Sequence, residues 1–260
     1  MTLINSTSDQ IFQSNSYPKD FAFDAEVCRV FDDMVSRSIP AYELLTSLIC
    51  DLALSFSKGG KFLDIGCSTG NTINQILTSS AGSKFAGPGT FGPGFSALVG
   101  LDTSEDMLKI AAQKPNIRAN ADLVELINAD ICEFELAENS FDVIVINLVL
   151  QFIRPLQRLD IIRKLANALK NGGVLIMVEK IIDETPAFNS LYIDAYHRYK
   201  ETVGYSQEEI LRKRLALENK LVPFLDAENT ALLRRSGLNE ISCFYKILNF
   251  KGYLAKKGSE

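Results

Sequence analysis

Apolar positions along the chain follow two periods in turn. Val27, Val30, Phe31, Met34 and Val35 recur at helical spacing and predict a helix over 24–35 with one buried face. Pro40 breaks that pattern, and Leu44, Leu45, Leu48, Ile49, Leu52 and Leu54 predict a second helix over 41–56. Short apolar runs then take over, at 61–66, 97–102, 123–130, 141–150 and 174–179, each of strand length. Helices are expected between them: 71–78, one opened by the hydroxyl cap of Thr103-Ser104, and 155–170, with Pro155 in an allowed first turn and Asn171-Gly172-Gly173 as its stop. The run 141–150 is apolar except for Asp142 and Asn147, as a strand covered on both faces of a parallel sheet should be. This alternation predicts an α/β fold: an open, doubly wound, mostly parallel sheet that binds its ligand at the carboxyl ends of the strands. Two later runs, 240–245 and 249–254, are close enough to form an antiparallel hairpin on a sheet edge. The stretch 181–222 reads as a helical insert capping the sheet. Its Ser206-Gln207-Glu208-Glu209 is a capping box for a helix carrying Arg212, Lys213 and Arg214.

The 260-residue length and 47% apolar content suit one α/β domain over 21–260 containing that insert. Residues 1–20 are polar and lack the basic-then-apolar order of a signal peptide, so they are expected to form a flexible leader of a cytoplasmic protein. Between 81 and 95, five glycines and two prolines rule out a regular element; the three phenylalanines there suggest a loop folded back on the domain. No apolar run nears the roughly 20 residues that span a bilayer, so no membrane segment is expected. A net charge of −5 offers no general attraction for a polyanion, which disfavours direct nucleic-acid binding. His197 is the single histidine, so a multi-histidine metal site is excluded and no metal is expected. Five cysteines without a Cys-x-x-Cys pair read as free thiols in a reducing compartment.

The chemistry is concentrated at Phe62-Leu63-Asp64-Ile65-Gly66-Cys67-Ser68-Thr69-Gly70. Here an apolar strand runs into a turn of small residues, with Asp64 at its end and two glycines that let the main chain approach a ligand closely. No Lys-Ser/Thr follows, which argues against a triphosphate; a plain tight turn fits the spacing as well. Asp102 ends the next strand, where a carboxylate can accept from both hydroxyls of a ribose or simply cap a helix. Asp130 could take an adenine amine with Ile131 lining the ring, or be a turn acid. Asn147 is either a structural hydrogen bonder or a site residue. Tyr42 fits a packed aromatic at a helix start, and Arg214 a solvated face paired with Glu218.

The chain resembles class I S-adenosylmethionine-dependent methyltransferases, which have a Rossmann-like fold, and more closely the carboxy-S-adenosyl-L-methionine synthase family. The resemblance rests on Phe23-Asp24 through Met34, Arg37-Ser38-Ile39-Pro40-Ala41-Tyr42, Asp64 to Ser68, Asn147, Leu150-Gln151-Phe152 and Glu179-Lys180. It continues through Tyr199-Lys200, Gly204-Tyr205-Ser206 and Lys213-Arg214 to Asn219, so that it covers about residues 21–255. It implies an enzyme that converts S-adenosylmethionine and prephenate to carboxy-S-adenosylmethionine and phenylpyruvate, supplying a partner that modifies the wobble uridine of tRNA. It also implies a homodimer, with the insert 181–222 at the subunit boundary. Tyr42, Gly66, Cys67, Ser68, Asp102, Thr103, Asp130, Ile131, Asn147 and Arg214 fall on the family's ligand-binding positions. Arg214 and Tyr42 are then the residues nearest the chemistry, the guanidinium gripping the carboxylate of the product with two parallel hydrogen bonds. The chain departs from the family at Thr103, where Asn is frequent, and in the 81–95 loop. The nucleoside motifs alone would also suit an ordinary small-molecule methyltransferase, or a non-catalytic S-adenosylmethionine-binding partner protein.

Overall fold

A computed structural model of the chain describes residues 23–79 and 94–258, together with Asp9 and Ile11. Two helices, α1 (Ala25–Ser38) and α2 (Tyr42–Phe56), precede the first strand. Asp24 starts α1 by accepting from the backbone N–H groups of Glu26 and Val27, both at 3.0 Å. The chain then alternates through β1 (Lys61–Ile65), α3 (Asn71–Ser79), β2 (Ala97–Asp102), α4 (Glu105–Gln113), the short α5 (Pro115–Ala119), β3 (Val124–Asn128), β4 (Phe141–Asn147), α6 (Arg158–Ala168) and β5 (Leu169–Ile182). It finishes with α7 (Pro186–Thr202), α8 (Gln207–Leu217), the two-residue β6 (Phe224–Leu225), α9 (Asp226–Arg235), β7 (Glu240–Ile247) and β8 (Phe250–Lys256).

The sheet order is β3-β2-β1-β4-β5-β8-β7, with β6 beside β5. Pairings from β3 to β5 are parallel, while β8 and β7 are antiparallel. This is the expected doubly wound sheet with its terminal hairpin. Strand order reverses between β1 and β4, the position where open α/β sheets leave a crevice at their carboxyl ends. One core layer packs α2 and α3 on one face of the sheet, and a second packs α6 and α9 on the other.

Several boundaries differ from those expected. β4 ends at Asn147 rather than 150, because Leu148 turns with φ 60° and the N–H groups of Leu150 and Gln151 leave the sheet to bond the Glu179 carboxylate at 2.9 Å each. Residues 171–173 lie inside β5 instead of stopping a helix at 170. A Cβ at Gly173 would sit 2.8 Å from the Asp142 carbonyl oxygen, so the small residue lets β5 run tightly against the start of β4. β3 stops at Asn128, two residues short of Asp130. Helix α9 was not anticipated, since 223–236 offers only Leu232 and Leu233 as a buried apolar pair. The insert contains α7 and α8 as expected, and the capping box forms: Ser206 Oγ accepts from Glu209 N at 3.2 Å while Glu209 Oε2 accepts from Ser206 N at 2.8 Å.

Of the expected leader, only Asp9 and Ile11 are among the described residues. Asp9 is buried, its backbone N–H donating to Asp33 Oδ2 and its Oδ2 accepting from the Tyr205 hydroxyl, at 2.8 and 2.7 Å. Of the 81–95 loop, residues 81–93 lie outside the described residues; Phe95 packs against Phe62 with ring centroids 5.3 Å apart. Among the described residues no single helix is long and apolar enough to cross a membrane.

Candidate functional site

A cavity of about 770 Å³ opens over the carboxyl ends of β1, β2, β4 and β5, walled by α1, α7 and α8. That volume is in the upper part of the range for small-molecule sites. Its two ends differ in charge.

At the first end, Gly66 takes φ +66°, and a Cβ there would meet Val149 Cγ2 at 2.3 Å. Ser68 also has positive φ. The backbone N–H groups of Gly66 and Cys67 both donate to Leu101 O, at 2.7 and 3.1 Å, which fixes the turn against β2. Asp102 ends β2 beside Thr103 and accepts from Ser68 N and Ser104 N, each at 2.9 Å. Each carboxylate oxygen can accept again, so a ribose diol can be added without breaking those bonds. Burial raises the Asp102 pKa. Asp64 is 2% exposed; burial, then the neighbouring Asp102 charge, push it up to about 8 against the Thr72 hydrogen bond. A cationic ligand beside it would reverse that shift. Burial also holds the Cys67 thiol well above its ordinary value, which makes it a lining group rather than a nucleophile.

Tyr42 joins this end from α2. Its hydroxyl accepts from Asn71 Nδ2 at 3.5 Å, and burial pushes it up to about 12. Asn71 in turn donates to Asp32 Oδ1 at 2.9 Å, as does the Thr69 hydroxyl at 2.5 Å, while Lys114 pairs with Asp32 Oδ2 at 3.2 Å. Asp32 thus ties α1 to the glycine turn. No local pattern pointed to this role, because its partners lie 37 to 82 residues away.

The second end is cationic. Lys180 at the end of β5, His197 and Lys200 on α7, and Arg214 on α8 all line the cavity. Burial, then the Arg214 charge, push Lys180 down to about 8; burial, then Lys213 and Lys180, push Lys200 down to about 7. His197 is lowered by burial and by Lys200, Arg214 and Lys180. Asn147, between the two ends, has a buried Oδ1 with no hydrogen-bond partner among the described residues, an acceptor open to a ligand donor. Arg214 lines the cavity and is exposed, as the solvated-face reading expects, but it makes no ion pair with Glu218 among the described residues.

The cavity brings together Tyr42, Asp64, Gly66, Cys67, Ser68, Asp102, Thr103, Ile131, Asn147 and Arg214. Asp130 is not among its lining residues: the side chain is exposed and Oδ1 accepts from Cys132 N at 2.8 Å, as a turn acid does. Sequence reasoning missed Lys180, Lys200 and His197 as cavity residues. Both lysines fall in blocks of the family resemblance, 179–180 and 199–200, but nothing in those blocks assigned them to the cavity; they meet across the Tyr196 ring of α7.

A sequence family described as a methyltransferase domain matches residues 63–175. The chain is 38% identical over 252 residues to carboxy-S-adenosyl-L-methionine synthase 1 of Yersinia pseudotuberculosis serotype IB (strain PB1/+), covering 95% of this chain and 98% of that protein. It is 39% identical over 250 residues to carboxy-S-adenosyl-L-methionine synthase of Campylobacter hominis, covering 96% and 99%. The chain belongs to the carboxy-S-adenosyl-L-methionine synthase family. Among solved structures, the YcgJ protein of Bacillus subtilis matches with TM-score 0.60 at 13% identity, over 84% of this chain and 100% of that one. Human N-acetylserotonin methyltransferase in complex with SAM matches with TM-score 0.58 at 13% identity, over 90% and 56%. These establish the class I methyltransferase fold. In this carboxy-S-adenosyl-L-methionine synthase family member, the sequence blocks 37–42 and 213–219 meet at one wall: Lys213 Nζ donates to Ser38 Oγ at 2.8 Å, next in sequence to Arg214.

Proposed function

We propose that this chain makes carboxy-S-adenosyl-L-methionine from S-adenosyl-L-methionine, taking the carboxyl group from prephenate and releasing phenylpyruvate. The observation that carries this reading is Arg214 in the same cavity as Asp64, Asp102 and Asn147, without an acidic partner among the described residues. The methyl group of a methyl donor bears no anion, whereas the carboxylated product has one on that carbon that a guanidinium can hold in two parallel hydrogen bonds. At the other end Asp102 would grip the ribose, Ile131 would line the adenine, and Asn147 Oδ1 would accept from the amino-acid portion. Tyr42 would close the nucleoside side.

The reaction balances without a protein base. A C–H bond of the methyl group breaks and a C–C bond to the transferred carboxyl group forms. The donor loses that carboxyl group and its ring hydroxide as the ring becomes aromatic, and hydroxide and proton leave as water. The chain then has to supply proximity, charge complementarity and exclusion of water. His197 is lowered chiefly by burial and the neighbouring cations, with Asp194 opposing them least.

A homodimer is proposed through the insert, supported by the exposed Phe188 and Leu191 of α7 and Leu211 and Leu215 of α8. We assign the product to a separate tRNA-modifying enzyme, since the acidic chain favours no direct RNA contact, and a cytoplasmic location on the strength of the free thiols. Incubating the purified protein with S-adenosyl-L-methionine and prephenate tests the reading. Phenylpyruvate and the carboxylated nucleoside should accumulate in equal amounts; methyl transfer or no turnover of prephenate would reject it.

A further inference from the structure

We infer that the cavity holds a second anion site, built by Lys180 and Lys200 across the ring of Tyr196, for the carboxylate that the donor keeps after giving one away. The inference rests on the proposed donor reading and specifies it: the donor is a dicarboxylate, and its two acid groups are held by different cations.

Lys200 is 7% exposed and lines the cavity, yet it has no acidic partner among the described residues. Lys180, half-buried, lines the same wall and also has no acidic partner among the described residues, and the charges that reach these two ammonium groups are those of other cations: Arg214 for Lys180, Lys213 and Lys180 for Lys200. Proteins rarely bury an ammonium without a counter-ion, since its desolvation is not repaid. The aromatic ring is partial compensation. Lys200 Nζ lies 4.5 Å and Lys180 Nζ 5.2 Å from the Tyr196 ring centroid, a contact of modest worth. Tyr196 is itself fixed, its hydroxyl donating to Ser38 O at 2.7 Å, so the two ammonium groups share a rigid platform.

Topology separates this site from the nucleoside end. Asp64 and Asp102 stand on β1 and β2, whereas Lys180 ends β5, beyond the reversal of strand order, and Lys200 is on α7. Arg214 is near enough to Lys180 to lower its affinity for a proton. The wall therefore offers adjacent positions for two anions: the carboxylate formed on the nucleoside at Arg214, and the retained 2-oxo acid carboxylate at the lysines. Ile193 and Phe250 line the same cavity and give an aromatic ring an apolar surface.

The test is to titrate S-adenosyl-L-methionine-loaded protein with phenylpyruvate by calorimetry, in wild type, Lys200→Met and Lys180→Met. Each substitution should weaken phenylpyruvate by at least about tenfold and leave S-adenosyl-L-methionine affinity within about twofold. Because an uncompensated buried charge is removed, the melting temperature should stay level or rise, which a lysine with a structural role would not allow. Undiminished phenylpyruvate binding in both variants, no phenylpyruvate binding by wild type, or an equal loss of S-adenosyl-L-methionine would overturn the inference. Should wild type bind phenylpyruvate through the lysines and yet give no turnover of prephenate, the donor reading would fall while the anion site stood.

Discussion

Single residues in this cavity are charged against their surroundings, and the imbalance has a direction. Asp64 is a carboxyl that burial pushes up to about 8, while Lys180 and Lys200 are pushed down to about 8 and about 7. An anion at the lysines needs them as ammonium ions. In the free protein they lose that proton as pH rises through about 7 to 8, so donor affinity is complete below this window and declines above it. The KM for prephenate should therefore rise roughly tenfold or more per pH unit above about 8, with S-adenosyl-L-methionine affinity changing less; a KM flat to pH 9 would contradict this. For stability the sign is opposite. Both folded values lie below the ordinary 10.5, so these lysines favour the fold most at alkaline pH, and that contribution is lost as pH falls through the folded values. Asp64, Gly66, Asp102 and Asn147 were legible in the sequence because each closes an apolar run at a strand end. Lys180 and Lys200 were not, because a lysine in a strand or helix reads as a solvated face until the fold shows what covers it.

At the scale of elements, the position of α8 decides where Arg214 sits, and a buried polar cluster holds it. Lys213 Nζ bonds Ser38 Oγ and lies 3.8 Å from Asp9 Oδ2, while Arg37 Nη2 donates to Asp9 O at 3.0 Å and pairs with Asp33 at 2.7 Å. Asp9 and Lys213 are both almost wholly buried, so removing Asp9 takes one opposite charge from Lys213 and the hydrogen bond from the Tyr205 hydroxyl, leaving Lys213 the charge of Asp33, a loss on the order of 3 kcal/mol. Asp9→Ala should lower unfolding free energy in urea by about 3 kcal/mol; a change below about 0.5 kcal/mol would show that Asp9 does not fasten the helix. The two central blocks of the family resemblance, 37–42 and 213–219, thus find a physical reason in one clasp. Helices α1 and α2 were readable from spacing and α8 from its capping box. The polar leader gave no hint of Asp9, because a lone acid in a stretch without periodicity carries no local signal, and α9 escaped because most of its surface is polar.

For the whole molecule, alternation of strands and helices was enough to give the doubly wound sheet, its ligand-binding edge and the terminal hairpin. The exact ends of β4 and β5 followed instead from distant partners, Glu179 capturing the 150–151 backbone and Gly173 fitting against Asp142. The resulting cavity is acidic where the nucleoside motifs lie and cationic at the opposite wall, an asymmetry that suits a zwitterionic sulfonium carrying an additional carboxylate better than a methyl donor alone. Arg214 is the group on which that distinction turns. Mass measurement of the nucleoside released by denaturing purified wild type and Arg214→Ala side by side tests it most directly. Wild type should release a nucleoside heavier than S-adenosyl-L-methionine by one carboxyl group, and Arg214→Ala should hold that species roughly 10- to 100-fold less well while still binding S-adenosyl-L-methionine. Release of only S-adenosyl-L-methionine or its demethylated product from wild type, or equal retention of the carboxylated species by both proteins, would contradict the account.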